Sequence, residues 1–128
     1  MEKEKNVLLY VDDERVNLEL FRINFAKDYD VKIALSAKEG HSIIKENKVD
    51  VIISDLRMPG KNGFEFIKEI KRENPEKICI ILSAFLEEEV IKNNINDGLV
   101  FKYITKPWKK TDLKQVIENA FAQLNNVA

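Results

Sequence analysis

Short runs of apolar residues recur along the chain, and each is separated from the next by a longer stretch of mixed polarity. The runs span Val7–Val11, Val31–Leu35, Val49–Ser54, Ile78–Leu82 and Leu99–Ile104. Runs of this length are typical of strands, and their alternation with helix-sized intervals predicts a parallel sheet in an α/β fold. We therefore expect five strands and five helices from these five runs.

Several helix boundaries are marked by their capping residues. The motif SAKE, which begins at Ser36, has the spacing of a capping box, and so does NGFE, which begins at Asn62. Pro75 prevents the helix opened by NGFE from continuing, and Gly98 can adopt the left-handed conformation that ends a helix. The apolar residues of the last helix recur at helical spacing and predict one buried face: Leu113, Val116, Ile117, Ala120, Phe121 and Leu124.

The composition of the strands indicates their order in the sheet. The first and fourth runs, VLLYV and ICIIL, and the VIIS part of the third run are unbroken, as expected for strands covered by helices on both faces. The second run, VKIAL, and the fifth, LVFKYI, each contain a lysine, which is typical of edge strands. A doubly wound, five-stranded parallel sheet of order 2-1-3-4-5 has these two edges, and its ligand-binding crevice lies between strands 1 and 3.

Length and composition fit one ordinary globular domain, which we expect to span residues 1–128. The chain is 45% hydrophobic and 34% charged, and its net charge of −1 gives no reason to expect direct binding to nucleic acid or to a membrane. No apolar run is long enough for a membrane span or a signal peptide, so the expected location is cytoplasmic. The single Cys79 lies in an apolar run and is expected to be a buried hydrophobe.

Polar residues follow four of the five strands at one edge of the predicted sheet. Asp12 and Asp13 follow the first strand, Asp55 ends the third, Ser83 ends the fourth and Lys106 follows the fifth. Because the carboxyl ends of parallel strands point the same way, we expect these side chains to converge. Taken singly, Asp55 as a loop cap and the DDE segment as a helix start explain the acids equally well. Taken together, three neighbouring carboxylates repel one another unless protons or a cation offset their charge.

A divalent cation would relieve that repulsion. A cluster of oxygen ligands without cysteine or histidine suits Mg²⁺, and Mn²⁺ is also possible. Mg²⁺ keeps several waters and prefers one or two carboxylates together with a phosphate oxygen. The predicted patch is therefore suited to phosphate chemistry.

The sequence resembles the receiver domains of two-component response regulators over essentially its whole length. Four segments carry the resemblance: VDDE (11–14), SDLRMPGKNG (54–63), LSA (82–84) and YITKP (103–107). Any one of them is a weak signal, but four in this order at the ends of four predicted strands are specific. The resemblance implies the flavodoxin-like (βα)5 receiver fold, which has the same 2-1-3-4-5 strand order.

The resemblance also implies an acceptor and a metal site. Asp55 would take a phosphoryl group from a phosphohistidine on a sensor histidine kinase or a phosphotransfer protein, and would become an aspartyl phosphate. Mg²⁺ would be held by Asp55, by Asp13 directly, by Asp12 through water and by the backbone carbonyl of Arg57. On this interpretation the chain is not an enzyme, since it catalyses only its own phosphorylation and dephosphorylation.

The remaining roles implied by the resemblance concern charge and switching. Lys106 would neutralise the phosphoryl oxygens, Ser83 would hydrogen-bond to one of them, and the bond between Lys106 and Pro107 is commonly cis in the family. Ser83 and Tyr103 would form a switch that alters the surface of the fourth helix, fifth strand and fifth helix. That surface would signal to an effector domain or a downstream protein.

Phe85 stands two residues beyond Ser83, at a place that lines the approach to the phosphoryl group in receiver domains. A bulky ring there would screen attacking water. We therefore expect slow self-dephosphorylation.

Three other classes of protein are less well matched. A phosphatase of the haloacid-dehalogenase type needs a second Asp two residues after its nucleophile, where this chain has Arg57. A flavodoxin-like cofactor carrier needs a phosphate-binding loop after the first strand, where this chain has DDER. A pseudo-receiver, which binds partners without phosphorylation, usually lacks one of the acids or the lysine, and all of them are present here.

Overall fold

The computed structural model describes residues 5–84 and 98–126. The elements in chain order are β1 (Val7–Val11), α1 (Arg15–Phe25), β2 (Asp30–Ala34), α2 (Ala37–Glu46), β3 (Val51–Ser54), α3 (Gly63–Glu73), β4 (Ile78–Ser83), β5 (Lys102–Thr105) and α4 (Lys110–Asn126). The predicted fourth helix and Phe85 lie outside the described residues. The helix that the sequence predicts as the fifth is therefore α4 here.

The strands form one parallel sheet of order β2-β1-β3-β4-β5, which confirms the predicted order and its two edges. Val11, the last residue of β1, pairs with Ala34 on one side and with Ser54 on the other. Ser83 at the end of β4 pairs with Thr105 of β5. The carboxyl ends of the strands are thus in register, so the residues that follow them meet at one edge.

The two faces of the sheet are covered by different helices because successive side chains of a strand point to opposite sides. Leu8 and Tyr10 pack with α1 and α4, whereas Leu9 and Val11 pack with α2 and α3. All four of these β1 side chains are buried. The predicted apolar face of α4 is confirmed: Leu113, Ile117, Ala120 and Phe121 are buried, and Val116 and Leu124 are partly buried against them.

The helix caps agree with the sequence patterns in most respects. At the start of α3 the Asn62 side chain accepts a hydrogen bond from the Glu65 N–H at 2.9 Å, and the Glu65 carboxylate accepts one from the Asn62 N–H at 3.3 Å. At the start of α2 the Ser36 hydroxyl accepts from the Glu39 N–H at 3.2 Å, which is one of the two bonds of a capping box. The helix α3 ends at Glu73 with Asn74 as its cap, directly before Pro75.

The fifth strand begins later than its apolar run predicts. The run starts at Leu99, but β5 starts at Lys102, while Leu99 and Val100 pack against the core on the α2 and α3 side. Gly98 before them has a φ of 66°, the left-handed conformation that the sequence allows it. A run of apolar residues indicates only that these residues are buried, and a loop that packs against the core buries them as well as a strand does.

Two smaller expectations concern Cys79 and membrane spans. Cys79 is buried in β4, and this burial raises the pKa of its thiol to about 12, so the thiol is an inert part of the core. Among the described helices, none has the length and apolar character required to cross a membrane.

Candidate functional site

Backbone hydrogen bonds continue past the strand ends and fix the residues that follow. The Asp12 N–H donates to the Ala34 carbonyl at 3.1 Å, and the Asp55 N–H donates to the Val11 carbonyl at 2.9 Å. The Lys106 N–H donates to the Ser83 carbonyl at 3.0 Å. The sheet therefore positions the backbone of each of these site residues directly.

Three carboxylates lie together at this edge, as the sequence predicts. One oxygen from each of Asp12, Asp13 and Asp55 lies within 4.8 Å of the others. Asp12 is fully buried and Asp55 is 9% exposed, whereas Asp13 is exposed. A cluster made of carboxylate oxygens suits a hard divalent cation, and the exposed Asp13 leaves one side accessible.

Asp12 is surrounded by hydrogen-bond donors. Its Oδ1 accepts from the Glu14 N–H at 3.0 Å. Its Oδ2 accepts from the Lys106 ammonium at 2.7 Å, from the Asn17 amide at 3.2 Å and from the Tyr10 hydroxyl. Burial of Tyr10, together with the hydrogen bond to Asp12, keeps the pKa of its phenol far above the ordinary value. The charge of Asp12 is thus offset from several directions.

The Asp55 carboxylate accepts fewer described hydrogen bonds than that of Asp12. Its Oδ1 accepts from the Leu56 N–H at 2.8 Å, and its Oδ2 lies 3.6 Å from the Lys106 ammonium. Burial raises the pKa of the Asp55 carboxyl, and the charges of Asp12 and Asp13 act in the same direction. Lys106 and the Leu56 N–H oppose this rise but do not cancel it. Additional positive charge at this site would therefore favour the carboxylate form.

Lys106 and Ser83 lie where the sequence predicts them. The Lys106 side chain is 19% exposed and forms ion pairs with both Asp12 and Asp55. The peptide bond between Lys106 and Pro107 is cis. Ser83 is buried at the end of β4, and the side chain of Arg57 is exposed after β3. The structure thus brings the hydroxyl, the ammonium and the carboxylates to one edge of the sheet.

Tyr103 lies on β5, and it is partly buried against the core on the α2 and α3 side. The ring centroid is 6.1 Å from that of Phe64. The hydroxyl oxygen is buried and has no hydrogen-bond partner among the described residues, and this burial raises the pKa of the phenol. No described hydrogen bond therefore fixes the orientation of the Tyr103 side chain.

Some contributors to the site were not predicted from the sequence, among them Tyr10, Asn17 and Gly63. A Cβ atom added at Gly63 would collide with the carbonyl oxygen of Asp55, and the Gly63 N–H donates to the Leu56 carbonyl at 2.8 Å. The strand pattern holds a signal for Tyr10, because residues two apart in a strand lie on the same side and Tyr10 precedes Asp12 by two. The contacts of Gly63 and Asn17 depend on how α3 and α1 pack.

Comparison with known proteins agrees with this site. The family model described as the response regulator receiver domain matches residues 8–118. The chain belongs to the receiver domain family. The acidic pocket of Asp12, Asp13 and Asp55 fits the phosphoacceptor site of such a domain.

The receiver domain is also similar to parts of longer regulators. It is 32% identical over 120 residues to the hydrogenase transcriptional regulatory protein HoxA of Cupriavidus necator, covering 94% of this chain and 25% of HoxA. It is 36% identical over 117 residues to the transcriptional regulatory protein GlrR of Escherichia coli, covering 91% of this chain and 26% of GlrR. The chain thus spans about a quarter of the length of each of these relatives.

Solved structures agree in fold. A response regulator receiver domain protein from Clostridium thermocellum superposes with a TM-score of 0.89 at 30% identity, over 96% of this chain and 99% of that one. The likeness extends over that whole receiver domain. The five-stranded sheet and its helices are therefore the flavodoxin-like receiver fold.

Proposed function

We propose that this receiver domain takes a phosphoryl group onto Asp55 in a Mg²⁺-dependent reaction and signals the change to an effector domain or partner protein. The observation that carries the proposal is the cluster of three carboxylates within 4.8 Å, with the Lys106 ammonium 2.7 Å from Asp12 and 3.6 Å from Asp55. Phosphoryl transfer needs an oriented nucleophile and positive charge around the transferred group. The domain is proposed to comprise residues 1–128 and to act in the cytoplasm.

The metal ligands proposed are the carboxylates of Asp12, Asp13 and Asp55 and the backbone carbonyl of Arg57. The cation, Mg²⁺ or the similar Mn²⁺, would supply positive charge against the phosphoryl oxygens. The Oδ2 atom of Asp12 already accepts from three protein donors, which favours a water-mediated role for this residue. Asp13 is exposed and suits direct ligation.

In the proposed reaction a carboxylate oxygen of Asp55 attacks the phosphorus of a phosphohistidine. The bond between that oxygen and phosphorus forms, the bond between phosphorus and the imidazole nitrogen breaks, and the nitrogen keeps the electron pair. The Leu56 N–H holds Oδ1, whereas Oδ2 faces the ammonium of Lys106. We infer that Oδ2 is the attacking atom and that Lys106 moves toward the transferred group. Water later hydrolyses the aspartyl phosphate, so the chain catalyses only its own phosphorylation and dephosphorylation.

The donor is proposed to be a sensor histidine kinase or a phosphotransfer protein that docks on α1. Val16, Leu20 and Ile23 are 77%, 51% and 75% exposed, and their spacing places them on one side of α1. Leu20 also lines a cleft of about 520 Å³ together with Lys106 and Trp108. An exposed apolar patch of this kind is typical of a protein-binding surface. Its continuity with Lys106 would bring a bound donor beside Asp55.

The output is proposed to depend on Ser83 and Tyr103. Ser83 is buried at the end of β4, next to β5, where a shift of its side chain toward a phosphoryl oxygen would free space. The Tyr103 hydroxyl makes no hydrogen bond within the described residues, so its reorientation would break none there. The surface affected would be that of β5, α4 and the predicted fourth helix.

The proposal is tested by incubating the protein with acetyl phosphate and Mg²⁺ and measuring its intact mass. We expect one phosphoryl group per chain, lost in Asp55→Asn and prevented by a chelator. Asp50→Asn serves as a matched control because Asp50 directly precedes β3, at the opposite end of the strand from Asp55. This control should be phosphorylated like the wild type. Absence of an adduct with acetyl phosphate and with phosphoramidate would contradict the mechanism.

A further inference from the structure

We propose that Tyr10 is a positioning residue of the cation site. Its buried hydroxyl holds the carboxylate of Asp12 in place when Lys106 leaves Asp12 for the phosphoryl group. The inference rests on the proposed function, because it concerns how Asp12 serves the cation.

Tyr10 is buried in the core, and its hydroxyl is hydrogen-bonded to Asp12. Tyr10 lies in β1, is 1% exposed and donates from its hydroxyl to Oδ2 of Asp12, which is itself fully buried. Its ring packs against Phe21 with a centroid distance of 4.7 Å. A phenylalanine would fill the same space against Phe21, whereas a buried hydroxyl is costly unless it is hydrogen-bonded. The bond to Asp12 therefore accounts for the tyrosine.

The other side-chain donors to Oδ2 are shared with further acceptors. Lys106 also faces Asp55 at 3.6 Å, and the Asn17 amide also donates to Glu14 at 3.2 Å. Lys106 and Asn17 are half-buried, whereas Tyr10 is enclosed in the core. Tyr10 is thus the donor of this group that is best protected from water and from competing acceptors.

This difference matters when Lys106 changes partner. A buried carboxylate that loses its ion pair becomes costly unless other donors remain. The Tyr10 hydroxyl would remain, since the packing of its ring against α1 fixes it independently of the lysine. It would keep Asp12 oriented toward the cation, as a hydrogen-bond partner behind a metal ligand commonly does.

The test compares Tyr10→Phe with Tyr29→Phe. Both changes remove a phenol hydroxyl from a tyrosine that is buried as a whole and packs on a phenylalanine, because Tyr29 is 7% exposed and stacks on Phe121 at a centroid distance of 5.6 Å. Tyr29 precedes β2, which pairs with β1 beginning at Asp30 and Val7, so it lies at the opposite end of the sheet from Asp12. Mg²⁺ affinity is measured by isothermal titration calorimetry on the folded proteins. We expect Tyr10→Phe to weaken binding about tenfold and Tyr29→Phe to leave it unchanged.

A second readout separates positioning from general loss of structure. The rate of phosphorylation by acetyl phosphate is measured across Mg²⁺ concentrations. For Tyr10→Phe, the half-saturating Mg²⁺ concentration should rise by about the same tenfold factor, while the rate at saturating Mg²⁺ stays near that of the wild type. Equal or tighter Mg²⁺ binding by Tyr10→Phe relative to Tyr29→Phe would overturn the inference alone. Failure of the wild type to bind Mg²⁺ would overturn the proposed function and the inference with it.

Discussion

The Lys106 ammonium lies 2.7 Å from Oδ2 of Asp12 but 3.6 Å from Oδ2 of Asp55. The lysine thus forms its closer ion pair with Asp12 and its longer one with Asp55, the proposed acceptor. A cation near Asp12 and the ammonium of Lys106 would repel each other. Binding of Mg²⁺ is therefore expected to weaken the ion pair between Lys106 and Asp12.

Replacement of the lysine tests this competition. We expect Lys106→Met to bind Mg²⁺ severalfold more tightly, because a positive charge that repels the cation is removed. The same variant should be phosphorylated at least roughly tenfold more slowly, because the charge that stabilises the transferred group is lost. Calorimetry and a time course of intact mass measure the two effects. The exposed Lys109 provides the control Lys109→Met, and weaker Mg²⁺ binding by Lys106→Met than by this control would refute the competition.

The raised pKa of Asp55 predicts that Asp55→Asn is more stable than the wild type at neutral pH without Mg²⁺. A carboxyl whose pKa is raised by folding favours the folded state below its unfolded pKa, and this contribution is lost as pH rises through the folded pKa. At neutral pH the wild type therefore carries an unfavourable charge that the amide lacks. Thermal unfolding should show a Tm higher by a few degrees in Asp55→Asn.

The pH dependence of this difference in Tm tests whether the charge of Asp55 is its cause. The Tm gap between Asp55→Asn and the wild type should narrow as pH falls through the raised pKa of Asp55, and it should narrow at neutral pH when Mg²⁺ is added to the wild type. A gap that is independent of both pH and Mg²⁺ would show that the charge of Asp55 is not its cause.

Gly63 is predicted to be essential for the position of Asp55. Alanine normally stabilises a helix relative to glycine, but a Cβ atom at position 63 would collide with the carbonyl oxygen of Asp55. We expect Gly63→Ala to lower the free energy of unfolding by about 1–3 kcal/mol and to slow phosphorylation. Gly60→Ala is the contrast, because Gly60 has a φ of 82° but nothing within 4 Å of the added Cβ. It should lose stability without slowing phosphorylation, and equal rates in the two variants would contradict the role of Gly63.

The exposed patch of α1 predicts a difference between protein donors and small donors. Ile23→Glu should reduce phosphoryl transfer from the cognate kinase roughly tenfold, since a charge would be placed in an apolar contact. Phosphorylation by acetyl phosphate should be unchanged, because Ile23 is 75% exposed and has no role in the chemistry. Ala122→Glu, at an exposed position of α4, is the matched control. Equal loss with both donors would argue against docking on α1.

Much of the fold could be predicted because individual residues indicate whether a strand lies at the edge or in the centre of the sheet. Lys32 and Lys102 marked the two edge strands, and from these edges the order of the sheet followed. Strand limits were less predictable, since Leu99 is packed against the core without belonging to β5. The apolar pattern alone does not record which backbone groups form the ladder.

The residues of the site were likewise predictable only in part. Asp12, Asp13 and Asp55 were predicted to meet because parallel strands bring their carboxyl ends to one edge, and the structure confirms that they do. Tyr10 and Gly63 were missed because their contributions are a contact of one hydroxyl and a space too small for a methyl group. The two-residue spacing places Tyr10 on the same side as Asp12. Whether its hydroxyl reaches the carboxylate, and how much room α3 leaves at Gly63, depend on side-chain packing and helix placement.

The most direct test of the account is to identify the residue that carries the phosphoryl group. Borohydride reduces an acyl phosphate to an alcohol, so treatment of the Mg²⁺-phosphorylated protein would convert the acceptor aspartate into homoserine. Trypsin then releases the peptide of residues 49–57, which contains both Asp50 and Asp55, and fragment masses distinguish them. We predict reduction at Asp55. Reduction at Asp50, Asp12 or Asp13, with Asp55 intact, would contradict the account.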